Sequence, residues 1–437
     1  MKTQMTITTE HAFKENNKKL PFYSSRLLLI ILLCALATGI LPQKILSCII
    51  LGACFLLFGT KQIYLAFPVM LFYYAPLGQL AGMSVYRYFT IIFLLIALAE
   101  AKNLKIRKSH ILPFFIFVVY CIVVISPDGM RRALFAVVDV LCGLILISHY
   151  LNKQENLRRF FAIYAITAIF SFITGLATGG YQDGYAILDG QLVELIRYIA
   201  TFEDPNYMGF FFTIAVFALV TLKIFPPKLR VAFVIVLYGM MLSTLSITMI
   251  VVNALLWPIY LLVAKKLNLK TFTIILIVLS ILVGLYFIGL KFPDLPVLGT
   301  LSLRISDKLI SLFGNDLNDA TTGRTDLTLQ HWEYFKNQSV FKMLVGMNAA
   351  STIKTSLGEI KLAAHNEYID LLLNIGILGT ILYFAFCFHR MHQCLRDYRQ
   401  QKSASSLCIF MTKCVWLIYG LALTMFGDYR FMFFFFL

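Results

Sequence analysis

The chain reads as an all-α polytopic membrane protein, a bundle of about 12–14 transmembrane helices with a large extracytoplasmic loop domain. Two observations predict this class. Of 437 residues, 59% are hydrophobic and only 14% charged, which excludes an ordinary soluble domain. Apolar runs near the roughly 20 residues that one crossing needs fill most of the chain, whereas a membrane barrel would show short alternating segments.

In order, the runs are 27–41, 44–59, 63–80, 86–100, 110–126, 133–151, 159–177, 207–225, 231–246, 247–264, 272–290, 367–388 and 407–426. The 231–264 stretch has no strong polar break. The ending "FMFFFFL" is too short to span and is expected at the membrane interface. The organisation is therefore a cytoplasmic tail (1–26), N-terminal helices (27–177), a first long outer loop (178–206), central helices (207–290), a large outer loop (291–366) and C-terminal helices (367–437).

Charge sets the predicted orientation. The formal net charge of +16 could suggest a nucleic-acid partner, but its placement argues against one, because cytoplasmic loops are enriched in Lys and Arg. With the N-terminus inside, the inner segments hold most of the 38 basic residues. They include Lys2, Lys14, Lys18, Lys19 and Arg26 in the tail, Lys102 to Lys108, Lys153 to Arg159, Lys223 to Arg230, Lys265 to Lys270, and Arg390 to Lys402. The first run contains an Ala35-x-Ala37 pattern acceptable to a signal peptidase. Its long polar lead and its continuation through Ile40 and Leu41 favour an uncleaved anchor. All nine cysteines fall in spans or inner segments, so no outer disulfide framework and no CxxC metal spacing is expected.

Two long connections both fall on the predicted outer side. Long loops in compact proteins are usually functional or disordered, and apolar and aromatic residues at helical spacing in the second disfavour disorder. In 291–366, "TTGRTDLTLQHWEYFKNQSVF" predicts a helix from near Thr322 or Gly323. Thr322 suits its N-cap and Asp326 its first turn, and Leu327, His331, Tyr334, Gln338 and Phe341 share a face. Such a helix is expected to lie on the membrane, aromatic side down. Arg324 at its start is suited to forked contact with phosphate. In the first loop, Arg197 precedes "EDPN", where Pro205 fixes a bend and Asn206 is the expected cap. The short outer segments use Arg87, Arg131, Arg132, Arg197 and Arg430 against Lys44. These suit either a phosphorylated lipid substrate or ordinary headgroup anchoring.

Of seven histidines, His11, His110, His149, His389 and His392 lie on the inner side, leaving His331 and His365 outside. His331 fits packing within its helix. His365 opens a span beside Asn366 and Glu367, where it is either a polar collar or a general base.

Together these pieces resemble the O-antigen ligase and polymerase superfamily of bacterial membrane glycosyltransferases. They are Gly323-Arg324, the aromatic helix with Trp332, "LVGMN" at 344–348, and His365-Asn366 before "YIDLLLNIGILGTILYF", with Gly376 and Gly379 as its Gly-x-x-Gly turn. "RYIATFEDPNYMG" adds the Arg and Asp-Pro-Asn that many members show. The motifs cover roughly 197–384; beyond them the likeness is hydropathy alone. Two departures stand out: Asn348 where members often carry glycine, and "LSTLSITMI" where many carry Ser-Arg. If that second position holds phosphate, Arg131, Arg132 or Arg430 would have to stand in.

The resemblance implies a GT-C-like enzyme of the bacterial inner membrane working on undecaprenyl-diphosphate-linked glycans at the periplasmic face. A polymerase passes the growing chain to the next lipid-linked repeat unit, for O-antigen, capsule or exopolysaccharide. A ligase passes it to lipid A-core. It implies His365 as base and Arg324 as the diphosphate-stabilising catalytic group. Substrate contacts are implied at Arg197, Asn206, Asn366, Glu367 and Trp332. Inversion at the anomeric carbon results from direct displacement. No cofactor is implied. Membrane lipids are partners, with a chain-length regulator and a flippase as protein partners. No metal is indicated: "NDLND" (315–319) is the one compact outer acidic run and reads as a solvated loop. Glu367 and Asp370, three apart, either orient His365 or form a polar helix face. The rival class is a non-enzymatic transporter or lipid-linked sugar flippase. It predicts charge along the membrane interior, where only Asp139 and Lys413 are clear.

Overall fold

The computed structural model describes residues 40–99, 111–112, 115–116, 118–119, 130–188, 191–266, 268–295, 297–314, 321, 323–347, 353–355, 358–360, 364–426 and 428–437. Most of the 27–41 run, much of the 110–126 run, Thr322, "NDLND" and Asn348 lie outside them.

The chain is mostly helical. It begins with α1 (Gln43–Gln62), a 3-10 turn, α2 (Phe67–Phe72), α3 (Tyr74–Leu77) and a two-residue hairpin β1–β2 (Gln79–Leu80 and Met83–Ser84). Next come α4 (Val85–Ala99), α5 (Met130–Ile145), α6 (Gln154–Thr178), the hairpin β3–β4 (Tyr181–Leu188 and Gln191–Tyr198) and α7 (Pro205–Leu222). The second half holds α8 (Pro227–Leu242), α9 (Ile247–Val263), α10 (Leu269–Lys291), α11 (Leu298–Phe313), α12 (Arg324–Lys336) and α13 (Val340–Val345). A short hairpin β5–β6 (Ile353–Thr355 and Gly358–Ile360) precedes α14 (Glu367–Gln401), α15 (Ala404–Tyr419) and α16 (Tyr429–Phe436).

Three helices are long and apolar enough to cross a membrane by length and composition: α6, α7 and α14. Shorter apolar helices of 10–17 residues accompany them, among them Val85–Ala99, Ile247–Val263 and Ala404–Tyr419. This fits an all-α membrane protein. Polar and aromatic ties join the helices: Gln43 Nε2 donates to the Pro76 carbonyl (3.2 Å), Tyr73 Oη meets Thr174 Oγ1 (2.9 Å), Arg158 donates to the Lys223 carbonyl (3.1 Å), and the Tyr64 and Tyr150 rings stack at 5.3 Å.

α7 is the hub. It is apolar all round and buried along nearly its whole length, as a central helix should be. α6, α8, α9 and α15 pack against it. In lipid, apolar burial gives no net drive between helices, so close packing and polar ties hold the bundle. One such tie crosses four helices. Trp257 Nε1 donates to Tyr238 Oη (2.7 Å), which donates to Asn253 Oδ1 (2.9 Å). Asn253 Nδ2 donates to Thr213 Oγ1 (3.0 Å), which meets Tyr419 Oη (3.2 Å).

Several local readings change. The 178–206 loop is mainly an antiparallel hairpin of two eight-residue strands, with Tyr181 opposite Tyr198. α7 is capped by Asp204, whose Oδ1 accepts from the Asn206 N–H (2.6 Å), with Pro205 at the first helical position. The 231–264 stretch splits at Ser243–Ser246, where Leu245 has φ +53° and Ser246 caps α9. In α12 the buried residues are His331 and Phe335, the helix packs on α14 and β5, and Trp332 and Phe341 are exposed. The final segment is no interfacial tail. α16 is buried against α5 and α15, and Lys413 Nζ donates to the Phe434 carbonyl (3.1 Å) and to that of Phe435. A short helix inside a membrane bundle is tolerable only where protein satisfies its end carbonyls, and Lys413 does so.

Candidate active site

The 420–426 segment after α15 gathers the site. Glu367 N–H donates to the Gly420 carbonyl (2.7 Å), and Glu367 Oε2 accepts from the Met425 (2.6 Å) and Phe426 (2.9 Å) N–H groups. Arg324 Nη1 donates to the Ala422 carbonyl (3.2 Å) and reaches Thr248 Oγ1 (3.5 Å). Thr328, one turn along α12 from Arg324, directs its hydroxyl at the Ala364 carbonyl (3.5 Å). The start of α12 and the start of α14 are thus fastened together, which brings Arg324 beside His365.

His365 is half-buried and has φ +49°. That left-handed position costs a non-glycine residue on the order of 1–2 kcal/mol and is held by the helix cap at the next residue. Asn366 Oδ1 accepts from the Tyr368 (3.0 Å) and Ile369 (3.3 Å) N–H groups and caps α14. Burial, then the Arg324 guanidinium, hold the His365 imidazole below the ordinary histidine value. His331 acts in the same sense, and Asp204 opposes them. Lowering the imidazole in this way favours its neutral form, the form that can accept a proton.

The cations converge on one turn. Arg197 Nε donates to the Thr244 carbonyl (3.1 Å) and Arg304 Nη1 to the Leu245 carbonyl (2.6 Å), while Arg324 reaches Thr248. Burial and the neighbouring Arg304 and Arg324 charges press the Arg197 guanidinium down to about 10, Asp204 opposing. Burial also lowers Arg304 and Arg324. Among the described residues no carboxylate lies within ion-pair distance of the three, though Asp204 is close enough to be felt by Arg197, Arg324 and His365, and Asp307 by Arg304. Crowding cations with so little counter-charge is unfavourable unless an anion joins them.

The expected residues divide. Arg197, Arg324 and His365 come together. Asn206, Asn366 and Glu367 lie at the same end of the bundle but are engaged by the protein itself. Asn206 Oδ1 accepts from Ser246 Oγ (2.7 Å), tying α7 to α9, and Glu367 docks α14 on the segment after α15 instead of orienting His365. Trp332 stays partly exposed, stacked on Phe335 at 5.7 Å, and no contact among the described residues joins it to the arginines. Arg430 is held by Asp428 (2.6 Å) and Glu203 (3.7 Å) with its guanidinium over Tyr74 and Tyr207, so it does not stand in beside "LSTLS". The Arg131 and Arg132 side chains lie outside the described residues. Arg304, which the sequence did not single out, joins Arg197 and Arg324 at that turn. Its one sequence signal is a lone Arg in the apolar stretch "LSLRIS".

α14 breaks at Gly376 (φ 66°), and Leu344 to Met347 pack against the break, with the Met347 N–H donating to the Leu373 carbonyl (2.7 Å). Among the described residues no group of three or more His, Cys, Asp or Glu side chains is arranged to hold a metal ion.

Compared with models of known protein families, with curated proteins and with solved structures, the chain matches none.

Proposed function

We propose that the chain is a membrane glycosyltransferase that polymerises lipid-linked polysaccharide repeat units. It moves the growing glycan from undecaprenyl diphosphate to a hydroxyl of the next lipid-linked unit. One observation carries this reading: half-buried arginines from separate segments meet beside a half-buried histidine at one end of an apolar helical bundle. Arg324 and Arg197 hold the diphosphate, which needs charge stabilisation more than protonation as it leaves. His365 takes the hydroxyl proton, the oxygen bonds to the anomeric carbon, and the bond from that carbon to the diphosphate oxygen breaks with inversion. The site faces the periplasmic side of a bacterial inner membrane in this reading.

The transport alternative asks for charge along the interior. Asp139 is instead paired with Arg87, and Lys413 is bonded to backbone carbonyls.

The test is purified protein in liposomes with lipid-linked repeat units and no nucleotide sugar. Chain growth is expected, and His365→Ala or Arg324→Ala should insert normally and make no polymer. Long chains from either variant would remove that residue from the mechanism. Transfer onto lipid A-core without chain growth would make the protein a ligase.

A further inference from the structure

We propose that Arg304 is the third arm of an anion cradle, and that the anion it fits is a diphosphate and not a single phosphate. The proposal rests on the glycosyltransferase reading for the identity of the substrate, but its geometry stands alone. Arg304 comes from α11, outside every motif that pointed to the site. Its Nη1 holds the Leu245 carbonyl (2.6 Å), and Arg197 Nε holds the adjacent Thr244 carbonyl (3.1 Å). Arg324 approaches Thr248 of the same turn from α12 (3.5 Å). Three guanidiniums thus surround Thr244–Thr248, which leads into the N-terminus of the 17-residue α9. Helix N-termini favour anions.

A guanidinium has five N–H donors. Arg197 and Arg304 each place one nitrogen on a backbone carbonyl, and Arg324 uses Nη1. The remaining donors carry no hydrogen bond among the described residues. "LSTLSITMI" has no cation of its own, and the surface helix α11 supplies it.

Charge selects the ligand class. Asp204 opposes Arg197 and Arg324, and Asp307 opposes Arg304 while also facing Lys308 (3.7 Å). With Asp307 and Lys308 taken as one ion pair, the three guanidiniums and Asp204 leave an excess of positive charge. A diphosphate esterified at both ends carries two negative charges and balances that excess. Departure exposes a further ionisable oxygen on the diphosphate as His365 gains a proton, so the balance survives the reaction. A single phosphate diester, with one charge, leaves the cluster underneutralised.

The test is direct binding of inorganic diphosphate and inorganic phosphate to the full-length protein in nanodiscs, beside turnover of lipid-linked units. Wild type should bind diphosphate more tightly than phosphate. Arg304→Gln keeps a hydrogen-bond donor and loses the charge. It should weaken diphosphate binding and raise the donor KM by about tenfold, the loss expected for one charged hydrogen bond. Arg304→Lys should recover part of both, and its thermal midpoint in detergent checks folding. Diphosphate binding and donor KM within about twofold of wild type in Arg304→Gln would leave Arg304 as a structural tie to Leu245 and overturn the proposal. Wild-type diphosphate binding without chain growth would instead refute the polymerase reading and leave the cradle standing.

Discussion

Gly346 and Gly376 meet backbone to backbone. A Cβ on Gly376 would overlap the Leu344 carbonyl oxygen and the Gly346 nitrogen, and one on Gly346 would overlap the Asn374 carbonyl oxygen. Both glycines also have positive φ (99° and 66°). Alanine at either should cost about 1–3 kcal/mol for the backbone alone, with overlap added. Gly376→Ala is expected to insert in the membrane, to expose the 291–366 loop to protease, and to lose polymer. Unchanged protease resistance would show that the break does not need this contact.

Asp204 offers a test of the histidine. The free-enzyme imidazole is held below the ordinary value of about 6.5, so base-competent His365 persists to that lower pH and is lost as pH falls through it. The acid limb of kcat/KM, which reports the free enzyme, should lie there. The limb of kcat should lie higher, because bound diphosphate favours the protonated ring. Asp204→Asn removes the charge that raises the imidazole while Asn still caps a helix. Its kcat/KM limb should move to lower pH. A limb that stays or rises excludes His365 as the titrating base.

Asn253 is the centre of the four-helix tie. Asn253→Leu strips a partner from both Tyr238 and Thr213. The loss should be about 0.6–1.7 kcal/mol, the range of interhelical hydrogen bonds in membranes, seen as a lower thermal midpoint in detergent. Adding Tyr238→Phe should then change little, because the residues act as one unit. Full additivity would mean that the tie is not cooperative.

Lys413→Met pits two effects against each other. It leaves the Phe434 and Phe435 carbonyls unpartnered, at about 1–3 kcal/mol per buried group, and relieves the burial of an ammonium. Both bonds and the stacking of Lys413 on the Phe435 ring (5.1 Å) are lost together, so destabilisation is expected in thermal unfolding. A higher midpoint would show that desolvation dominates.

Hydropathy and the placement of Lys and Arg are enough to read the class and to put Arg197, Arg324 and His365 on one predicted side, while their grouping as a site and the glycine turn at Gly376 come from the resemblance. The rest depends on tertiary partners. Asn206 and Glu367 look like substrate groups in one dimension and are ties to Ser246 and to the Met425 and Phe426 amides in three. Arg304 gains meaning only from Leu245, far along the chain. The Asp189-Gly190 pair between apolar residues is a hairpin signal that reading 178–206 as a membrane loop passes over. α16 looks too short to matter because its partner, Lys413, registers in the sequence only as an isolated charge.

The loop region is fastened to the helices partly by the guanidiniums that would grip the substrate, Arg304 at Leu245 and Arg324 at Ala422. Ligand occupancy and loop attachment are therefore thermodynamically linked, with equal coupling in both directions. Whatever clamps 291–366 against the bundle also sets how tightly an anion is retained. Releasing product and loosening the cover become two readings of one equilibrium, and amide hydrogen exchange in α11 and α12 is where it would register.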